Sequence, residues 1–315
     1  MLEMKTILTI FLYFLFLQSN SYASVIQKHM ILGLSSPPNK EWQTFIKTEK
    51  PLGFILVGTQ FKNANTVKTT INTLKNLVPN YTPIITIDQE GGRVNRIKKG
   101  VTIFPSAQKI ASENSIYYTE RLAYEKGKEL KNLGIDILLG PVLDVNTNPK
   151  NPVIGDRSFS HNPKIVRQHA IASLNGYKQA GIKAAGKHFP GHGHTSTDTH
   201  HHITVTHLNQ ADLRRIHIAP FADAIHHHIP AIMVSHVVYP SFDPVNPASQ
   251  SKRIISGLLR EELGFKGIII TDDIMMKAIT KKSSPKQAIN KALAAGADYI
   301  IMIAPLSEYK KLIYL

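Results

Sequence analysis

Six histidines and one aspartate fall within the stretch GKHFPGHGHTSTDTHHH, positions 186–202. Imidazoles at this density can ligate a transition metal or move protons near neutral pH. Ligation by His188, His192, His194, His200, His201 and His202 would make this an envelope protein holding zinc or copper. The spacing argues against that. Only His188 and His192 stand four apart, and Pro190 and Gly191 between them break the helix that would set both on one face. A second tract, His226 to His228, reads as a solvated helix end. The chain has no cysteine, which removes disulfides, thiolate metal sites and a thiol nucleophile.

Other polar residues fall where strands should end. Near-continuous apolar runs at 26–33, 53–58, 83–88, 135–143, 182–187, 231–236, 267–272 and 298–303 alternate with helical segments such as 117–133, 162–180 and 285–295. Strands apolar on both faces and separated by helices indicate a buried parallel sheet. Eight of them in this length predict an α/β chain folded as a single-domain (β/α)8 TIM barrel. An open doubly wound sheet is the competing arrangement, but no Gly-rich phosphate loop follows the first strand. Asp88, Lys187 with His188, His236 and Asp272 then sit at or just past the ends of four different strands. Arg157 lies in the long loop after the fourth. In a barrel these ends converge on one mouth, where active sites are built.

The N-terminus carries Lys5, an apolar run from Ile7 to Leu17 and a polar stretch closing on Ser-Tyr-Ala. This pattern predicts a signal peptide over 1–23, cut after Ala23, ahead of one catalytic domain over 24–315. The run is short for a bilayer span. An exported protein, periplasmic or secreted and without stable membrane insertion, is therefore expected, with an uncleaved anchor as the alternative. Hydrophobic residues make up 43% of the chain, enough for a full core. Formal charge is +15, and loss of 1–23 leaves it unchanged because that segment carries one Lys and one Glu. Such a balance suits an anionic setting such as cell wall. Export argues against nucleic acid, and the basic residues are thinly spread.

Four motifs in order, IDQEGGRVNR (87–96), VIGDRSF (153–159), GKHFPGHG (186–193) and LLREELGFKGIIITDDIM (258–275), resemble glycoside hydrolase family 3. The likeness is greatest to its single-domain bacterial β-N-acetylglucosaminidase branch, the NagZ type, and runs from about residue 27 to about residue 303. It implies a retaining exo-β-N-acetylglucosaminidase (a β-N-acetylhexosaminidase) releasing N-acetylglucosamine from peptidoglycan fragments. No cofactor, no metal and no nucleic acid are implied, only a carbohydrate substrate and a monomeric chain. Retaining glycosidases need a nucleophile under the anomeric carbon and an acid/base beside the glycosidic oxygen. The resemblance makes Asp272 the nucleophile and, in place of a second carboxylate, His200 the acid/base, paired with Asp198. On an extended segment residues two apart share a face, so Asp198 can hold one ring nitrogen while the other meets the substrate. Asp88, Arg157, Lys187 and His188 are implied to hold the sugar hydroxyls.

Further expectations follow for the neighbours. Lys187 and Arg157 should lower the pKa of Asp272, and Asp273 should point away and bond the loop. Pro190, Gly191 and Gly193 should make a rigid loop base, with His192 structural. His236 is either a mouth residue or a packed core histidine. Departures from the family pattern are Thr199 for Ser, His194 for a residue often Asp or small, the extra His201 and His202, and Met275 for a small residue. A family 3 β-glucosidase or β-xylosidase is the rival enzyme, set apart because those relatives take their acid from a carboxylate on a second domain. A non-catalytic sugar-binding relative would not need both nucleophile and dyad.

Overall fold

The computed structural model describes residues 22–314. Nearly all of the predicted signal peptide lies outside the described residues. Eight parallel strands form one sheet: β1 (Met30–Leu34), β2 (Gly53–Leu56), β3 (Ile84–Ile87), β4 (Ile137–Leu138), β5 (Lys183–Phe189), β6 (Ala231–Val234), β7 (Ile268–Thr271) and β8 (Ile300–Met302). Each pairs with its sequence neighbour, and β8 pairs back on β1. Between β7 and β8 the ladder is a single bridge, Ile270 to Tyr299, supported by Thr271 N–H donating to Tyr299 O at 2.9 Å. The sheet therefore closes into the expected barrel.

Why these residues make strands is visible in their two faces. Ile31, Ile55, Ile137, Met233, Ile270 and Ile301 fill the barrel interior. Their neighbours Met30, Leu32, Phe54, Leu56, Ile300 and Met302 face outward into the core beneath the helices. Alternation with both faces buried gives the near-continuous apolar runs. The first strand starts later than predicted. Residues 22–29 are helical, and Ile26 in that helix is 1% exposed, so its apolar character serves helix packing rather than the sheet.

The helices that cover the barrel are α1 (Lys40–Glu49), α2 (Ala64–Leu77), α3 (Ile116–Leu133), α4 (Pro163–Gln179), α5 (Ala219–His226), α6 (Arg253–Glu262), α7 (Pro285–Ala295) and α8 (Leu306–Tyr314). Their starts are written in the sequence. Asn39, Ser115 and Asn162 each accept a backbone N–H of the first turn, and Pro163 takes the first-turn position where its missing N–H costs nothing. Ser284 and Gln287 close α7 with a reciprocal capping box. The same helix ends at Gly296, whose φ of 105° a side chain would resist. His226 ends α5 with His227 and His228 exposed after it, as predicted.

Candidate active site

Asp88 follows β3, Lys187 and His188 lie in the last part of β5, His236 follows β6 and Asp272 follows β7. All emerge at the C-terminal mouth of the barrel. A pocket of about 240 Å³ opens there, with Ile55, Leu139, Met233 and Ile301 as its floor. Asp88, Arg157, Lys187, His188, His200 and Asp272 border it, together with Glu90. Sequence reasoning thus brought six residues to one cavity.

Glu90 organises one wall. The Lys187 ammonium, 2% exposed, donates to Asp88 Oδ1 at 2.6 Å and to Glu90 Oε1 at 2.6 Å. Arg157 meets the other side of Glu90 as a two-pronged fork, Nε to Oε2 and Nη2 to Oε1, both at 2.8 Å. Burial alone would raise the Glu90 pKa, but Lys187 and Arg157 outweigh it and hold the carboxyl far below its ordinary range. Burial would likewise strip the proton from Lys187, yet Asp88 and Glu90 raise its pKa instead. Glu90 was missed as a functional residue, although it stands inside IDQEGGRVNR. The strand-end position that marks Asp88 does not extend to Glu90, two residues further along the chain.

Asp144 organises the other wall and was also missed. It is fully buried and accepts from His188 Nδ1 at 2.6 Å, from His188 N–H at 3.2 Å and from His192 N–H at 2.6 Å. Burial would raise its pKa, but His188 and His192 reverse the direction. The bond sets the tautomer of His188: Nδ1 carries the proton, and Nε2, 3.4 Å from Arg157 Nη2, faces the pocket side. His192 has the structural part expected of it. Its Nδ1 meets Thr195 Oγ1 at 2.9 Å and its Nε2 meets Thr199 Oγ1 at 3.2 Å, tying the loop base to the dyad. Thr199 needs only the hydroxyl that Ser would also supply. The signal for Asp144 was its place at the end of the apolar run ILLGPVLD.

Asp198 and His200 do pair, though not across an extended segment. Asp198 Oδ1 lies 2.7 Å from His200 Nδ1 and also accepts His200 N–H at 2.8 Å. Asp198 O meanwhile accepts the N–H groups of His201 and His202. This is an Asx-type turn, in which the aspartate bonds its own backbone two residues on. It shares two residues with the predicted geometry but curls them. Burial opposes the charge on Asp198, but the bonds from His200 lower its pKa. The turn is docked by Ala278 N–H on Thr199 O at 3.2 Å and Lys277 N–H on His200 O at 3.3 Å. The His200 side chain stays 57% exposed, open to the pocket.

Asp272 is half-buried, and its Oδ1 accepts Asp273 N–H at 2.8 Å. Burial would raise its pKa, but His236 and His188 outweigh burial and lower it. The expected cations are a correction: Lys187 and Arg157 are engaged by Asp88 and Glu90, and the histidines act on Asp272. His236 answers to both expectations at once, packed at 1% exposure yet beside the mouth. Its Nδ1 meets Ser249 Oγ at 2.7 Å and its Nε2 donates to Asp273 O at 2.9 Å. Asp273 bonds the loop as expected, its Oδ1 accepting Met275 N–H at 3.0 Å and Ile303 N–H at 2.9 Å. It borders the pocket all the same, and burial pushes its carboxyl up to about 6.

The added histidines make no side-chain bond to the dyad, although the backbones of His201 and His202 belong to its turn. His194 is exposed and its Nδ1 meets Thr147 Oγ1 at 2.9 Å, while His201 and His202 are exposed beside His200. Among the described residues no three His, Asp or Glu side chains are arranged to hold a metal ion, and no helix is long and apolar enough to cross a membrane.

The profile of the glycosyl hydrolase family 3 N-terminal domain matches residues 24–315. A β-hexosaminidase of Nitrosomonas eutropha is 36% identical over 225 residues, which make up 70% of this chain and 64% of that one. The chain therefore spans somewhat less than two thirds of that relative. A family 3 β-N-acetylglucosaminidase from Paenibacillus sp. FPU-7 superposes with a TM-score of 0.88 at 32% identity, covering 93% of this chain and 57% of that one. NagZ from Neisseria gonorrhoeae, solved with N-trifluoroacetyl-D-glucosamine, superposes with a TM-score of 0.83 at 29% identity. It covers 91% of this chain and 84% of that one.

Proposed function

From the premise that the chain belongs to glycosyl hydrolase family 3, we propose that it is a retaining exo-acting β-N-acetylglucosaminidase. Asp272, His200 and Asp198 carry the chemistry in this reading. Asp88, Arg157, Lys187 and His188 hold the terminal sugar. The observation that supports it best is the presence of the Asp272 carboxylate and the Asp198-paired His200 imidazole at one pocket in the barrel mouth.

The steps follow from those groups. Asp272, ionised, attacks the anomeric carbon while His200 gives a proton to the departing glycosidic oxygen. The same ring then takes a proton from water as that water displaces Asp272, and the sugar leaves with its configuration retained. The Asp198 bond to Nδ1 keeps Nε2 as the ring atom that exchanges the proton. The Asp88–Lys187–Glu90–Arg157 array offers both acceptors and donors, as a pair of sugar hydroxyls requires.

The natural substrates in this reading are N-acetylglucosamine-containing peptidoglycan fragments, met by a monomer exported through its N-terminal signal. Net charge of +15 suits contact with an anionic wall. Turnover of aryl β-glycosides of N-acetylglucosamine, glucose and xylose tests the proposal. The N-acetylglucosaminide should be hydrolysed at least about a hundredfold faster by kcat/KM. A preference for glucose or xylose would make the chain a β-glucosidase or β-xylosidase instead.

A further inference from the structure

Lys126, on α3 behind the pocket wall, takes no part in the steps above. Its side chain is 5% exposed, it donates to the Glu90 carbonyl oxygen, and its Nζ lies 5.1 Å from the centre of the Phe104 ring. It borders a small chamber of about 40 Å³, room enough for water, which Glu90, Arg157, Thr119, Ser173 and Tyr177 also line. A buried ammonium is unfavourable unless it is paired and hydrogen-bonded. Here the carbonyl it bonds and the carboxylate that favours its charge belong to one residue, Glu90. That same carboxylate holds both Arg157 and Lys187.

We propose that Lys126 is a positioning residue for sugar binding, fixing the Glu90 main chain so that its carboxylate sets the Arg157 fork and the Lys187 ammonium. The inference rests on Arg157 and Lys187 being sugar-holding groups. Lys187 and Arg157 bond the Glu90 carboxylate from the pocket side, while Lys126 holds the same residue by its carbonyl. Loss of the Lys126 proton weakens its bond to the Glu90 carbonyl and ends its attraction for the carboxylate, leaving Arg157 and Lys187 to draw Glu90 toward the pocket.

This gives the device a pH signature. Burial lowers the Lys126 pKa to about 8. The charged and titratable groups facing it lie well away from that value. Glu90 is lowered, Arg157 raised, and Tyr177 of α4 is raised by burial and by Glu90. His169 of α4, which bonds Thr119 at 2.7 Å, is lowered by burial. Weakening of sugar binding as pH passes through about 8 thus reports Lys126.

The experiment compares wild type with K126M and K126R on an aryl N-acetyl-β-glucosaminide from about pH 6.5 to about pH 9.5. The Arg157 Nε–H resonance is followed by ¹⁵N NMR across the same range. Near neutrality K126M should raise KM about tenfold with kcat within about threefold of wild type, and K126R should recover part of the loss. Wild-type KM should climb above pH 8 and the Arg157 resonance should move with the same midpoint, while both stay flat in K126M. A folded K126M with wild-type KM, or wild-type KM and Arg157 resonance flat through pH 8, overturns the proposal. If K126M does not fold, the wild-type pH series decides. If wild type turns over no such glycoside, the reading of function fails, and the Arg157 resonance still decides the inference.

Discussion

Asp198 holds His200 twice through a single oxygen, taking the ring Nδ1 at 2.7 Å and the backbone N–H at 2.8 Å. One bond orients the ring and the other fixes the turn that carries it, so removal of the carboxylate should cost chemistry more than substrate affinity. Asp198→Ala is expected to lower kcat roughly 10²- to 10⁴-fold on an aryl N-acetyl-β-glucosaminide, with KM changed less than about threefold. His200→Ala should fall at least as far. A His200 variant running at near-normal rates would remove the ring from the mechanism.

As the proposed nucleophile, Asp272 must be a carboxylate to attack carbon. The groups that hold its pKa down against burial, His236 and His188, cannot make an amide nucleophilic. Asp272→Asn is therefore expected to lose roughly 10³-fold or more in kcat while the fold, read by circular dichroism and melting temperature, stays intact. Retention of most of the rate would mean that another group is the nucleophile.

Much of this was legible in the chain. Strand ends mark themselves where an apolar run meets a charge, which is how Asp88, Lys187 and Asp272 were found. The dyad was legible through family resemblance. Its geometry was not, because spacing of two residues fits an extended segment and an Asx turn equally well. Asp144 and Glu90 were hidden for a different reason. Their bonds in the structure run to other protein groups, and those partners, His188 and His192 for one and Arg157 and Lys187 for the other, come together only after the barrel has closed. Residues 26–29 show the limit of periodicity: four residues of mixed polarity cannot tell a strand from the end of a buried helix.

Asp144 carries a prediction of its own. Three N–H groups converge on a carboxylate with 0% exposure. Asp144→Asn keeps the shape but turns one acceptor into a donor that faces another donor. The variant should lose about 2–3 kcal/mol of stability, a drop of roughly 5 °C or more in melting temperature. It should also bind N-acetylglucosamine more weakly, since His188 would lose the bond that sets its tautomer. An unchanged melting temperature would show that the carboxylate is not needed to hold His188 and His192.

The loop base should be acid-sensitive, because His192 within it and His217, on the helical turn Leu213–Ile218 that packs against Gly191, are both buried in the neutral form. Burial lowers both His192 and His217 to about 4, and the Nδ1 of His217 has no hydrogen-bond partner among the described residues. The groups facing His217 are His194, which opposes its charge, and Asp144 and Asp212, which favour it. In the unfolded chain both rings titrate near 6.5, so as pH falls the unfolded state takes up protons first. Their contribution to stability is complete above about pH 6.5, falls through the interval down to about 4, and falls no further below it. Each site should account for up to roughly 3 kcal/mol over that interval. Asp144, whose pKa is lowered, adds its own loss as pH falls into and below the ordinary carboxylate range, where the unfolded chain takes up the proton first. Melting temperature measured from pH 7 to pH 4 should therefore drop steeply in wild type and more gently in His217→Gln. Equal slopes in the two proteins would show that the buried imidazole of His217 is not a source of the acid sensitivity.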